Sequence, residues 1–112
     1  MLASSPAASA AYRRRQSPKQ LEAQVFAHVT RQLRTAQGEA DARSRARAVS
    51  DAQRLWLVVE ALVLDPTNQL LVLLRAQLAG IARAALRECD AGEPDISFLT
   101  EMTEQVGAGL WS

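Results

Sequence analysis

One cysteine, five glycines, four prolines and an aromatic share of 4% are all this 112-residue chain holds of the residues that most often shape small folds. The lone Cys89 excludes an internal disulfide, and that fits a reducing compartment. Scarce Gly and Pro, with few β-branched runs, argue against a turn-rich all-β fold. No stretch reaches the ~18 consecutive apolar residues of a membrane span. No self-similarity appears at periods of roughly 20–50 residues, which excludes a repeat array. What remains is a 48% hydrophobic content with little aromatic material, the filling of an Ala- and Leu-rich helical core. The length suits one domain, able to bury roughly two-thirds of its unfolded surface.

Charge is balanced in sum, with 13 basic and 12 acidic side chains, but not in place. Residues 1–20 carry Arg13, Arg14, Arg15 and Lys19 and no acid, while residues 88–112 carry Glu88, Asp90, Glu93, Asp95, Glu101 and Glu104 and no base. Either these are a solvated tail and a solvated face, or one end docks on a partner of opposite sign, or the two ends meet. The opening "MLASSPAASAAYRRR" places its positive charge after the small residues, the wrong order for a secretory signal. Lacking acids and bearing Ser and Arg, it shares features with a transit peptide. Its small polar residues cannot pack, so residues 1–15 read as a disordered basic tail and 16–112 as the helical domain.

Four helices are expected. In the first, Ser17 is an N-cap, Pro18 suits the first position and Gln20 completes a capping box. Leu21, Val25, Val29 and Ala36 line one side with Phe26 and Leu33 beside them, and Gly38 ends it. The second begins near Asp41 and stops at Asp65-Pro66, because the residue before proline avoids the α region. Glu39 with Arg43 and Asp41 with Arg45 stand four apart, acid first. The third runs from Gln69, capped by Asn68, to about Asp90. Its core stripe is Leu70, Leu74, Leu78, Ile81 and Ala85, with Leu71, Ala82 and Cys89 alongside. Gly80 lies within it and costs about 1 kcal/mol against alanine, a loss explicable if a neighbouring helix passes close. Gly92 reads as the C-cap residue. A short fourth helix follows Asp95, with Ile96, Leu99, Met102 and Val106 inward, Phe98 pointing elsewhere, and Gly107 and Gly109 ending it. Short turns between four helices make the expected fold all-α, an antiparallel bundle.

The stretch "RLWLVVEALVLDPTNQLLVLL", residues 54–74, is richer in apolar residues than one-sided packing requires. On a helix Leu55, Val58, Val59, Leu62 and Val63 share one face, flanked by Trp56, while Leu57, Ala61 and Leu64 fall on the far side. Val72, Leu73 and Leu86 lie off the stripe of the third helix. Either the bundle closes over this surplus, or a patch stays exposed and binds another chain. The patch would comprise Leu57, Leu64, Val72 and Leu73, with Phe98 as a further contributor.

The sequence holds little that could carry chemistry. His28 stands alone, and neither a zinc-ligand spacing nor an HExxH motif occurs. Gly107 and Gly109 have no helix after them and form no phosphate loop. Glu101 and Glu104 are three apart and expected to face water, and Cys89 reads as a packed thiol. No enzyme, metal or cofactor is therefore expected. Nucleic-acid binding has Tyr12 with Arg13, Arg14 and Arg15 in its favour. Against it, Arg43, Arg45, Arg47 and Arg54 are offset by Glu39, Asp41 and Asp51, and the pI is only about 8.0. A direct RNA contact is thus the alternative, as is a self-associating helical module.

The chain resembles the FlaF family of flagellar biosynthesis regulators. The likeness runs from Tyr12 to Leu110. It rests on "AAYRRRQSPKQLEAQVFAHVTRQL" with Tyr12, Pro18, Glu22 and Leu33, on "QRLW" with Leu55 and Trp56, on "DPTNQL" with Asn68 leading into "LLRAQL", and on Gly109-Leu110. It departs from the family pattern at Ala52 and Thr103, where asparagine is frequent. The resemblance implies a cytoplasmic, non-enzymatic helical protein needed for flagellin production and export. It would work alongside FlbT and engage unassembled flagellin as an export chaperone does. On that reading flagellin's amphipathic terminal segments would occupy the apolar groove, and the "YRRR" tail, Tyr12 to Arg15, would steer association.

Overall fold

The computed structural model describes residues 18–38, 41–67 and 70–110, and among these every regular element is an α-helix. Four occur: α1 Pro18–Gly38, α2 Ala42–Leu64, α3 Val72–Cys89 and α4 Ile96–Leu110. The expected basic tail, including Tyr12 and Arg13–Arg15, lies outside the described residues, as do Ser17 and Asn68.

Local chemistry sets most of the boundaries. Asp41 caps α2, its carboxylate accepting the Arg43 N–H at 2.9 Å and the Ser44 hydroxyl at 3.1 Å. That use of the carboxylate replaces the side-chain pairing with Arg45 expected from spacing. Asp65 ends the helix in extended backbone, φ −68° and ψ 123°, as the following proline requires. Asp95 caps α4 by accepting the Phe98 N–H at 3.0 Å, and its own N–H donates to Glu88 Oε2 at 2.9 Å. This second bond ties the end of α3 to the start of α4.

Three expectations fail here. The third helix begins at Val72, not Gln69, and its N-cap Leu71 has no side-chain cap bond. Gly92 is no left-handed C-cap: the cap of α3 is Asp90, at φ −88° and ψ −3°, and no described glycine has a positive φ. Gly107 does not end α4, which continues to Leu110.

The reason for Gly107 is steric. A Cβ there would lie 2.8 Å from Cβ of Phe26, so only glycine lets α4 lie this close to α1. Gly80, expected to admit a neighbouring helix, has nothing within 4 Å of its Cβ position and is exposed.

The helices pack chiefly as α2 on α3, α1 on α4 and α1 on α2, whereas α4 only touches α2 and α3. At the centre lies Trp56, fully buried. Phe26 meets it edge-on, centroids 6.0 Å apart at 89°. The Trp56 indole N–H donates to Thr103 Oγ1 at 3.3 Å. Leu33, Ala52, Leu78, Ala82 and Leu99 complete the innermost layer. Both departures from the family pattern, Ala52 and Thr103, therefore sit in the core with no exposed surface. The buried hydroxyls of Thr30 and Thr100 donate to the carbonyls of Phe26 and Ile96 one turn back, at 2.8 and 2.7 Å.

The bundle is flat, with principal extents of 49 × 39 × 19 Å. Its 16.0 Å radius of gyration exceeds the ~13 Å of a compact chain of this length. A flattened bundle has two helix layers at most, so part of each central helix goes uncovered.

Candidate functional site

The uncovered part is the end of the α2–α3 hairpin. Leu55, Trp56, Val59 and Val63 of α2 turn inward. Leu57, Val58, Leu62 and Leu64 turn outward, each 42–58% exposed. Past the turn, Leu71, Val72 and Leu73 are 72–80% exposed. Leu57 and Leu64 share a side of the helix with Ala61, and Val58 and Leu62 lie on the adjacent side. The seven residues flank the α2–α3 turn as an apolar band, four before it and three after. Glu60 is the only charged residue from Leu55 to Leu64, and none occurs from Pro66 to Leu74. A band of this size and so little charge is beyond the scattered leucines of an ordinary surface.

Four of the five residues expected in the patch, Leu57, Leu64, Val72 and Leu73, lie in this band. Phe98 does not. It is half-buried near the start of α4 and packs on the core, three residues beyond the Asp95 cap. Val58, Leu62 and Leu71 were expected to face inward and are exposed. The wheel located the inward stripe too far round: the buried residues Ala48, Ala52, Leu55, Trp56, Val59 and Val63 centre on Ala52 and Val59, with Trp56 at one edge as expected. A signal was present for Leu71: consecutive residues Leu71, Val72 and Leu73 sweep about 200° of a helix and cannot all face one neighbour.

Other residues matched to the family resemblance divide between core and surface. Leu55 and Trp56 are buried, and Gly109 is exposed on the last turn of α4. Pro18, Glu22 and Leu110 lie within helices, but their side chains are outside the described set.

Polar contacts brace the turn beside the band. Asp65 Oδ1 accepts the N–H and the hydroxyl of Thr67, both at 2.8 Å. The Thr67 backbone bond, then its hydroxyl, hold this carboxyl below its ordinary value against an opposing effect of burial, with a lesser lowering from the Arg75 guanidinium. Arg75 reaches back to α2: its Nε and Nη2 donate to the Val63 carbonyl at 3.1 and 2.9 Å, and Nη2 also to the Asp65 carbonyl at 3.2 Å.

Two clefts lie elsewhere on the surface. A cleft of about 550 Å³ at the opposite end of the hairpin lies between Arg45, Val49 and Gln53 on α2 and Glu93, Pro94 and Ile96 after α3. A groove of about 340 Å³ follows the α1–α4 seam, where Arg34 and Glu104 form an ion pair. Burial, with Asp90 and Glu88 adding to it, pushes the Cys89 thiol up to about 11, so it is protonated at neutral pH. His28 is exposed on α1. Among the described residues no three His, Cys, Asp or Glu side chains gather as metal ligands would, and no helix is long and apolar enough to cross a membrane.

The fold and its bare hairpin end define a class: a small all-helical protein whose most distinctive surface is apolar rather than chemically reactive. The family model for flagellar protein FlaF matches residues 6–110, nearly the whole chain, and the protein belongs to that family. No curated protein and no solved structure gives a match.

Proposed function

We propose that this flagellar protein is a non-enzymatic cytoplasmic adaptor that holds unassembled flagellin against the hairpin tip. In this role it promotes flagellin synthesis and export, and it acts on translation by competing with FlbT. The observation that carries the reading is the seven-residue apolar band, Leu57 to Leu73, which none of the described helices covers. An amphipathic segment of flagellin, unpaired until assembly, supplies the complementary surface by lying helix-in-groove. Each leucine or valine so covered contributes up to about 1.5–3 kcal/mol, less the cost of ordering both partners.

The test is binding of purified monomeric flagellin to the protein and to its Leu57→Asp and Val72→Asp variants. Both variants are expected to fold and to lose flagellin. Because contact is apolar, wild-type affinity should change little between about 50 and 200 mM salt, whereas phosphate-driven RNA binding would weaken steeply. Variants that keep full affinity would place the binding surface elsewhere. A concentration-dependent dimer in sedimentation, abolished by Leu57→Asp, would make a second copy the occupant instead.

A further inference from the structure

The exposed band spans two helices, with four residues on α2, two on α3 and Leu71 at the α3 N-cap, and so its shape depends on how those helices are joined. We propose that Arg75 is the positioning residue of this surface, the clamp that sets the α3 half of the band against the α2 half; the inference rests on the tip being the docking surface.

Sequence and geometry lead to this. The last turn of any α-helix leaves carbonyls without intrahelical partners. On α2 two carbonyls of that end, those of Val63 and Asp65, accept from one guanidinium that belongs to α3. The three bonds span 12 and 10 residues of chain and are made by a planar, permanently charged group. Positive charge at a helix C-terminus is also favoured by the helix dipole. Arg75 itself stands in the first turn of α3, its N–H bonded to the Leu71 carbonyl at 2.9 Å. The clamp is therefore one turn from Leu71, Val72 and Leu73 at one end and one residue from Leu62 and Leu64 at the other. The N-cap residue Leu71 makes no side-chain cap bond. Arg75 does not need to touch the partner. It raises the fraction of molecules in which both halves of the band are presented together, and apparent affinity scales with that fraction.

The experiment compares wild type, Arg75→Ala, Arg75→Lys and the surface variant Val72→Asp, by amide hydrogen exchange of residues 62–76, thermal melting and affinity for monomeric flagellin. Arg75→Ala is expected to keep the cooperative melt of the Trp56 core, exchange faster across 70–76, and bind about tenfold more weakly if the aligned tip falls to a tenth of the population. Arg75→Lys retains charge but not the fork, and should recover part of the affinity and part of the protection. If Arg75→Ala keeps wild-type exchange or wild-type affinity while Val72→Asp loses flagellin, the clamp is overturned and the docking surface stands. If Val72→Asp also binds like wild type, both are overturned. A loss of affinity in Arg75→Ala that Arg75→Lys does not relieve at all, with the whole core exchanging, would assign Arg75 to general stability and overturn the positioning role.

Discussion

Trp56 and Leu57 are neighbours on one helix, and they occupy opposite worlds. Around Trp56 three helices converge: α1 brings Phe26, α4 brings Thr103, and the indole has an edge-on ring and a hydrogen-bond acceptor. From Leu57 onward, Leu57, Val58, Leu62 and Leu64 are 42–58% exposed, and among the described helices α2 packs most on α3. Aliphatic content does not separate the two regions, since both hold leucine, valine and alanine. Coverage separates them. The core is where a third helix arrives, and the tip is where it does not.

The comparison can be broken or sharpened by substitution. Trp56→Ala should have the largest effect, a loss of about 3–5 kcal/mol in chemical denaturation, since it opens a cavity and leaves Thr103 without its donor. Gly107→Ala comes next. It forces a Cβ against Phe26, and the overpacking of about 1–3 kcal/mol outweighs the ~1 kcal/mol gain in helix propensity; the readout is a lowered melting temperature. Gly80→Ala should do the reverse and stabilise by about 1 kcal/mol, because the same propensity gain meets open space. The smallest change belongs to the tip. Leu57→Asp should stay within about 0.5 kcal/mol of wild type while flagellin binding disappears. A Leu57→Asp variant that unfolds would erase the distinction between tip and core.

How much of this was legible beforehand follows the same divide. Helix starts at Asp41 and Asp95 were readable because the capping side chain and its backbone donors lie within a few residues of each other. The family was readable because its scattered matches keep order along the chain. The inward or outward fate of Val58, Leu62 and Leu71 was not, because periodicity measures how apolar a face is, not how far a neighbouring helix extends along it. Phe98 shows the converse: off-stripe in its own helix, it still finds core to lean on. The glycines illustrate the limit best. Gly80 and Gly107 are both mid-helix, yet one faces open space and the other faces Phe26 at 2.8 Å. Only the arrangement of distant segments tells them apart. Arg75 is a similar case, since its acceptors are backbone carbonyls, which every sequence has and no pattern marks.

The pairing of the first helix with the last has a consequence for biosynthesis. While the ribosome is still making the chain, α1 has no α4 to lie against, and the side of Phe26 that will meet Gly107 stays open. The α2–α3 hairpin depends on near neighbours and can form early, as local contacts do. The final closure joins segments some 70 positions apart, as the Arg34–Glu104 ion pair does, and so it waits until α4 has emerged. A nascent chain paused before that moment displays greasy surface at both ends of its architecture, and is then most open to capture by a chaperone or to misassociation with its siblings.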